Sequence, residues 1–282
     1  MSGTRCSESS LEAGEPLAAT ATTAEHWLLV EVPGTWPRDV SMEGALPEPA
    51  LKSVNAWLEE TAGSRVLFVR RPGRSAARTL VFVIRAAEST TEVRRLELLE
   101  TADLGDVDLA SDGDPTDRQL VLVCGHGTRD ACCALHGTAV YGALAGRLDD
   151  EELWISSHQG GHRFAANVLV LPAGLQFGRV EPSAAAFVVA RALAGRIELD
   201  RYRGRTCYSS PTQAAERAVR ESEKLEGVAD LRLAEIEGAR VRFRSWDGSE
   251  HVALVEEVVG PRVSASCGVE PESQTAFSAR IL

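Results

Sequence analysis

The 282-residue sequence contains no run of basic residues and no long apolar stretch. Its formal net charge is −11, and it lacks the clustered lysines and arginines that phosphate contacts with nucleic acids require. No apolar segment approaches the ~20 residues that a membrane-spanning helix needs. The longest one, FAANVLVLPAGL, is broken by Pro172 and Gly174. We therefore expect neither a nucleic acid nor a membrane as a partner.

A secretory signal is also missing from the start of the sequence. The first residues, MSGTRCSESSLEAGE, contain no basic segment followed by an apolar one. We therefore predict a cytoplasmic localisation, in which the six cysteines are mostly reduced or metal-bound. The sequence has no C-x-x-C pair, which argues against a dithiol oxidoreductase.

The composition is that of an ordinary globular protein, with 44% hydrophobic and 25% charged residues. We predict a flexible N-terminal segment at 1–24, a β/α domain at 25–115, a central domain at 116–208 and a small α+β domain at 209–282. The first domain boundary is based on Ser111–Asp117, a stretch of Gly, Pro and Asp without an apolar residue. The chain is long enough to bury a core without disulfides.

Apolar periodicity predicts the elements of the first and last domains. In the first domain they are a strand, a helix and three strands, at His26–Val32, 47–62, Arg65–Arg70, Leu80–Arg85 and Val93–Leu99. In the last domain they are a helix at 211–226 and two strands, Arg240–Trp246 and His251–Val258, joined at Asp247–Gly248.

The central domain shows a βαβ(α)ββα order, which is typical of a thioredoxin-like fold. The predicted elements are Gln119–Cys124, Cys133–Leu148, Leu153–Ser157, a turn at Arg163–Ala166, Val168–Leu171, Leu175–Val180 and a helix capped by Ser183. Residues 25–100 and 118–195 share a strand–helix–strand–hairpin order, which suggests a duplication. The overall prediction is an α/β protein.

Four candidate metal ligands lie in the central domain. Eight residues separate Cys124 from Cys133, and three separate His158 from His162. Two thiolates and two imidazoles are a full ligand set for zinc or for an iron–sulfur centre. The intervening Gly160 allows a sharp turn of the backbone, so that both imidazoles can face one metal.

The stretches CGHGTRDACCA and SHQGGHRFAANVLVLP resemble the sucrase/ferredoxin-like family, as does the opening CS…GEPLAATA…HWLLVEVPG. The resemblance covers about residues 6–208. It implies a thioredoxin-like ferredoxin domain with a [2Fe–2S] cluster on two cysteines and two histidines: Cys124, Cys133, His158 and His162. The adjacent Cys132 departs from the family pattern and can compete with Cys133 for the second thiolate position.

The resemblance implies an electron carrier that works with a redox partner protein and has no organic substrate of its own. Neutral imidazole ligands reduce the negative charge of a cluster and raise its potential. Their free N–H groups can titrate, so we expect electron transfer to be coupled to a proton. The word sucrase does not imply glycosidase activity, because we find no suitable carboxylate pair.

Two other functions use the same four residues. One is a zinc-stabilised structural or interaction protein, although eight residues is a wide spacing for a zinc finger. The other is a cluster-containing reductase with a substrate site between domains. A phosphatase-like loop is disfavoured because Arg129 follows Cys124 after only four residues.

The remaining polar residues of the region receive structural interpretations. We interpret His126 and His136 as solvated loop histidines rather than as hydrogen-bond donors to ligand sulfurs or proton relays. Arg129, Asp130 and Arg163 are expected to form either an ion-pair network or a surface for a redox partner. The three cysteines outside the central segment have no partner at ligand spacing and are interpreted as structural: Cys6, Cys207 and Cys267.

Overall fold

The computed structural model describes residues 5–73 and 77–282. In these ranges the α-helices are α1 (Cys6–Glu12), α2 (Glu48–Glu60), α3 (Ala131–Leu144), α4 (Pro182–Leu193) and α5 (Ser210–Glu223). Short 3-10 helices cover Thr101–Asp106, His162–Phe164, Leu199–Arg201 and Val228–Asp230. None of these helices is long and apolar enough to cross a membrane.

The strands belong to a large mixed sheet and a small antiparallel sheet. The large sheet contains β1 (His26–Glu31), β2 (Ser64–Arg70), β3 (Thr79–Ala86), β4 (Thr91–Leu98), β5 (Asp114–Pro115), β6 (Leu120–Cys124), β7 (Leu153–Ser156), β8 (Val168–Leu171), β9 (Leu175–Phe177) and β10 (Tyr202–Arg205). The small sheet contains β11 (Leu231–Glu237), β12 (Arg240–Ser245), β13 (Glu250–Val263) and β14 (Glu272–Ile281). The protein is therefore a mixed α/β protein.

The two halves of the large sheet have the same internal order. In each half a helix joins two parallel strands, β1–α2–β2 and β6–α3–β7, and an antiparallel hairpin follows. The halves meet where β2 pairs with β7, so the full order is β10-β9-β8-β6-β7-β2-β1-β3-β4-β5. The strand–helix–strand–hairpin order predicted for both halves is confirmed. The predicted boundary after residue 115 falls between β5 and β6 of this sheet.

Strand β6 is buried on both faces because its apolar residues alternate between two cores. Val121 and Val123 pack with Val140 of α3 on one face. Leu120 and Leu122 face the opposite core. Full burial of each such side chain contributes roughly 1.5–3 kcal/mol. The strand is thus a rigid support for Cys124, its last residue.

The C-terminal part of the chain is attached through α5. The hydroxyl of Tyr202, in β10, donates to Glu216 of α5 over 3.0 Å. Arg220 donates to the same carboxylate over 2.9 Å, and both side chains of this ion pair are buried. Val219 of the same helix packs with Phe243 of the small sheet.

Most predicted strands and helices are confirmed to within a few residues, and the differences have local causes. Helix α4 begins at Pro182 with Glu181 as its N-cap, so the predicted Ser183 cap is wrong. Residues 1–24 were interpreted as a flexible segment that is mostly loop, with order near Cys6 left open, and α1 forms there and buries Cys6 completely. No strand was predicted at β5, β10 or β14, and β5 lies inside the predicted linker Ser111–Asp117.

Candidate metal centre

Two cysteines meet where β6 ends and α3 begins. Cys124 is the last residue of β6, and its backbone N–H donates to Asn167 of the neighbouring segment over 3.0 Å. Cys133 lies in the first turn of α3, which starts after Asp130 because that carboxylate accepts from the backbone of Cys132. Both thiols are fully buried. The fold therefore brings together two cysteines that are nine positions apart in the sequence.

The two histidines lie beside these thiols. The ligand atoms of Cys124, Cys133 and His158 all lie within 4.8 Å of one another. His162 is outside that group, but its ring centroid is 4.9 Å from that of His158, with 34° between the ring planes. The structure thus brings three of the predicted ligands together and places the fourth next to them.

The histidine rings provide the clearest evidence that these residues suit a metal. The Nδ1 atoms of His158 and His162 are buried and have no hydrogen-bond partner among the described residues. An unpaired buried nitrogen costs free energy, and coordination of a metal would satisfy it. Two thiols and a nearby imidazole within 4.8 Å of one another, with the second unpaired imidazole beside them, are the donor set of a Cys2His2 centre.

The thiols are electrostatically unequal. The Cys133 thiol donates to Cys124 and thereby lowers the pKa of Cys124, against the opposing effect of burial. The same hydrogen bond, together with burial, raises the pKa of Cys133. Burial also lowers the pKa of His162, which favours the neutral imidazole. A thiolate and neutral imidazoles are the forms that bind metals.

The loop that carries the histidines is held by two side chains outside the predicted ligand set. Asn167 donates to the carbonyl of Gly161 over 2.9 Å and accepts from Arg203 over 2.8 Å. Arg203 also donates to the carbonyl of Gly160 over 2.9 Å. Gly161 has a φ of 68°, and a Cβ there would lie 2.5 Å from Arg203. The turn between the histidines therefore requires this glycine.

Arg203 is a buried cation close to the two thiols. Burial lowers its pKa to about 9, while the nearby cysteines act in the opposite direction. Its positive charge offsets negative charge that thiolates bring into the protein interior. No sequence pattern pointed to Arg203, since it follows Cys124 by 79 positions and lies in an unpredicted strand.

His126 is buried rather than solvated, so that prediction is wrong. Its Nε2 lies 2.8 Å from the carbonyl oxygen of Pro37, and its Nδ1 accepts from the backbone N–H of His158 over 3.1 Å. These two contacts define a tautomer with the proton on Nε2. His126 thus positions the backbone of His158.

The predicted ion-pair network among Arg129, Asp130 and Arg163 is not formed. Arg163 pairs instead with Glu15 over 2.7 Å. Asp130 accepts from the backbones of Cys132 and Cys267, each over 2.9 Å. The Oδ2 atom of Asp130 lies 3.9 Å from Nε2 of His162.

Cys132 points away from the four predicted ligands. Its sulfur lies 3.6 Å from that of Cys6 and 3.4 Å from that of Cys267. Of the two adjacent cysteines, Cys133 is therefore the one placed with Cys124. Cys207 belongs to neither group and contacts the core of the C-terminal part.

His158 is partly exposed and opens onto a cavity of about 470 Å³. Several cationic or titratable side chains line this cavity, namely Arg38, Arg65, His126 and Arg129. The remaining predicted ligands are buried. His158 is thus the member of the centre that another molecule can approach.

The sequence is also similar to a known protein family. The family described as sucrase/ferredoxin-like matches residues 17–204. The chain belongs to the sucrase/ferredoxin-like family. The matched region includes all four predicted ligands and also Asn167 and Arg203.

Curated relatives of this sucrase/ferredoxin-like chain are fungal proteins named altered inheritance of mitochondria protein 32. The protein from Eremothecium gossypii is 41% identical over 73 residues, which are 25% of this chain and 21% of the relative. The protein from Meyerozyma guilliermondii is 35% identical over 96 residues, 30% of this chain and 34% of the relative. The chain thus covers only about a fifth to a third of these relatives. No solved structure matches significantly.

Proposed function

We propose that this protein carries electrons through a [2Fe–2S] cluster bound by Cys124, Cys133, His158 and His162. The observation that supports it most is the buried pair of thiols beside two imidazoles whose Nδ1 atoms lack partners among the described residues. Membership of the sucrase/ferredoxin-like family adds support. In this proposal β6, α3, β7, β8, β9 and α4 are the thioredoxin-like frame of the centre.

A bound [2Fe–2S] group would supply a one-electron couple. The protein supplies the ligands, their orientation and the exclusion of water. Cys124 and Cys133 are fully buried, so water has no access to the thiolates. Asn167 and Arg203 fix the backbone of the histidine turn, and His126 fixes that of His158. Neutral imidazoles in place of two thiolates favour a higher potential.

Transfer to a redox partner protein takes place at His158 in this proposal. This side chain is partly exposed and lines the cavity that also contains Arg38, Arg65 and Arg129. Asp39 lines the same cavity, but the three arginines outnumber it and leave that face with a net positive charge, which would attract an acidic surface. The identity of the partner and the cytoplasmic localisation remain predictions.

The metal content of anaerobically purified protein tests the proposal. We expect a red-brown protein with about two irons and two sulfides per chain, as a [2Fe–2S] group requires. An ultraviolet–visible spectrum and iron and sulfide assays on one sample provide the measurement. A colourless, iron-free protein whose zinc disappears in Cys124→Ser would contradict the proposal and establish a Cys2His2 zinc site instead.

We further predict that the reduction potential falls as the pH rises. If Nδ1 of each histidine binds iron, the ring N–H at Nε2 is free to titrate, and a more positive centre lowers its pKa. Above the pKa of the oxidised form, reduction takes up a proton, so the potential falls by ~59 mV per pH unit for each proton. Potentiometry between neutral and alkaline pH measures this slope.

Two variants separate this effect from other titrations. His162→Cys keeps a ligand but removes one titrating N–H, so we expect a shallower slope and a lower potential. His136→Gln replaces a histidine outside the ligand set and is expected to leave the slope unchanged. A flat potential in the unmodified protein would disprove proton coupling.

A further inference from the structure

Three cysteines from distant parts of the chain converge at a second point. Cys6 is the first residue of α1, Cys132 lies in the first turn of α3, and Cys267 lies in the loop between β13 and β14. Cys6 precedes Cys132 by 126 positions, and Cys267 follows Cys132 by 135 positions. No pattern in the sequence could therefore reveal this group.

The three sulfurs form a nearly equilateral triangle. The Sγ atoms of Cys6 and Cys132 are 3.6 Å apart, those of Cys132 and Cys267 are 3.4 Å apart, and those of Cys267 and Cys6 are 3.6 Å apart. Cys6 and Cys132 are fully buried. Packing of apolar groups does not require such a regular arrangement, but coordination of one ion does.

Asp130 provides the fourth corner. Its Oδ1 lies 3.2 Å from the sulfur of Cys267 and 3.6 Å from that of Cys6. The ligand atoms of all four residues lie within 4.8 Å of one another. The other oxygen, Oδ2, accepts from the backbone of Cys267 and from the hydroxyl of Ser266, each over 2.9 Å. Oδ1 also accepts from the backbone of Cys132 over 2.9 Å, so the carboxylate is held in place with Oδ1 beside the sulfurs.

These distances match a tetrahedral site for one zinc ion. A Zn–S bond of ~2.3 Å gives sulfur–sulfur edges of about 3.7–3.8 Å in a tetrahedron. The observed edges of 3.4–3.6 Å are close to this value. A disulfide would need two sulfurs at ~2.05 Å, and no pair is distinguished from the others. Iron–sulfur clusters distribute their cysteines over separate irons, so three sulfurs this close fit a single ion better.

Charge leads to the same ion. As thiolates, the three cysteines and the buried carboxylate of Asp130 would place negative charge in the protein interior. A divalent cation would offset this charge. Thiolates select soft or borderline metals such as zinc over magnesium or calcium. The hydroxyl of Ser7 donates to the sulfur of Cys132 over 3.2 Å, the kind of outer contact that orients a ligand.

We propose that Cys6, Cys132, Cys267 and Asp130 bind one zinc ion in a closed structural site, separate from the Cys124 centre. The ion would connect α1, the start of α3 and the small sheet. Because all four positions come from the protein, the site leaves no open coordination position and has a structural rather than a catalytic role. Asp130 also approaches His162, so the two centres share one supporting residue.

Metal analysis of matched variants tests the zinc site. We expect about one zinc per chain in protein purified anaerobically without added metal. Cys267→Ser should lose the zinc and keep the iron, whereas Cys124→Ser should lose the iron and keep the zinc. Cys207→Ser, which changes a cysteine outside both groups, should keep both metals. This pattern distinguishes failure of the zinc site from failure of the proposed electron carrier.

A measurement on the unmodified sequence covers the case in which Cys267→Ser does not fold. Zinc-depleted protein titrated with Co²⁺ should give the absorption bands of tetrahedral cobalt with thiolate ligands, with one equivalent bound. Zinc-free purified protein that binds no Co²⁺ would overturn the proposal. So would zinc retained in folded Cys267→Ser, or a disulfide among the three cysteines found by mass spectrometry under non-reducing conditions.

Discussion

Replacing Cys124 by serine is expected to remove the bound iron and the visible absorption of the protein. A serine hydroxyl does not ionise at neutral pH, and this position is fully buried at the end of β6, so water cannot replace the sulfur easily. The Cys124 thiolate is also the form that its surroundings favour, since Cys133 donates to it. Iron per chain and the absorption spectrum are the measurements.

The adjacent cysteines give a sharper version of the same experiment. Cys133→Ser should lose iron as completely as Cys124→Ser, because these two thiols share one site. Cys132→Ser changes a residue of equal burial one position away, yet it should keep the iron because its sulfur faces Cys6 and Cys267. Iron that persists in Cys133→Ser but disappears in Cys132→Ser would reverse the assignment of the second thiolate ligand.

The sequence predicted those parts of the molecule that depend on local patterns. Continuous apolar runs specified β1 and β6, and helical spacing specified α2, because strands buried on both faces and helices buried on one face leave these local patterns in the sequence. The candidate ligands Cys124 and His158 could be identified for a related reason. Cys124 ends β6 and His158 lies just after β7, and these two parallel strands are neighbours in the sheet.

The parts that the sequence did not predict depend on distant contacts. Helix α1 is short and polar, and its burial results from its position against the 3-10 helix at His162–Phe164, the start of α3 and β13. Arg203 supports the histidine turn from a strand at the edge of the sheet, and Cys267 reaches Cys132 from the C-terminal sheet. Such contacts leave no periodic signal in the chain.

Gly137→Ala should both destabilise the protein and weaken binding of iron. A Cβ at Gly137 would lie 2.0 Å from the backbone oxygen of Cys124 and 2.9 Å from its carbonyl carbon. Helix α3 packs against the end of β6 at this glycine, so an added methyl group must push the helix away from the strand. We expect a loss of ~1–3 kcal/mol in the free energy of unfolding, typical of overpacking.

The displacement also separates the two thiols, because Cys133 moves with α3 while Cys124 stays with β6. Gly142→Ala is the matched control in the same helix, since a Cβ there meets nothing within 4 Å. Alanine favours a helix over glycine by roughly 0.5–1 kcal/mol, so this control should be slightly more stable and keep its iron. Urea unfolding followed by circular dichroism, with iron assayed on the same samples, compares the two. Equal stability and equal iron content would show that the close approach of α3 to β6 does not hold the centre together.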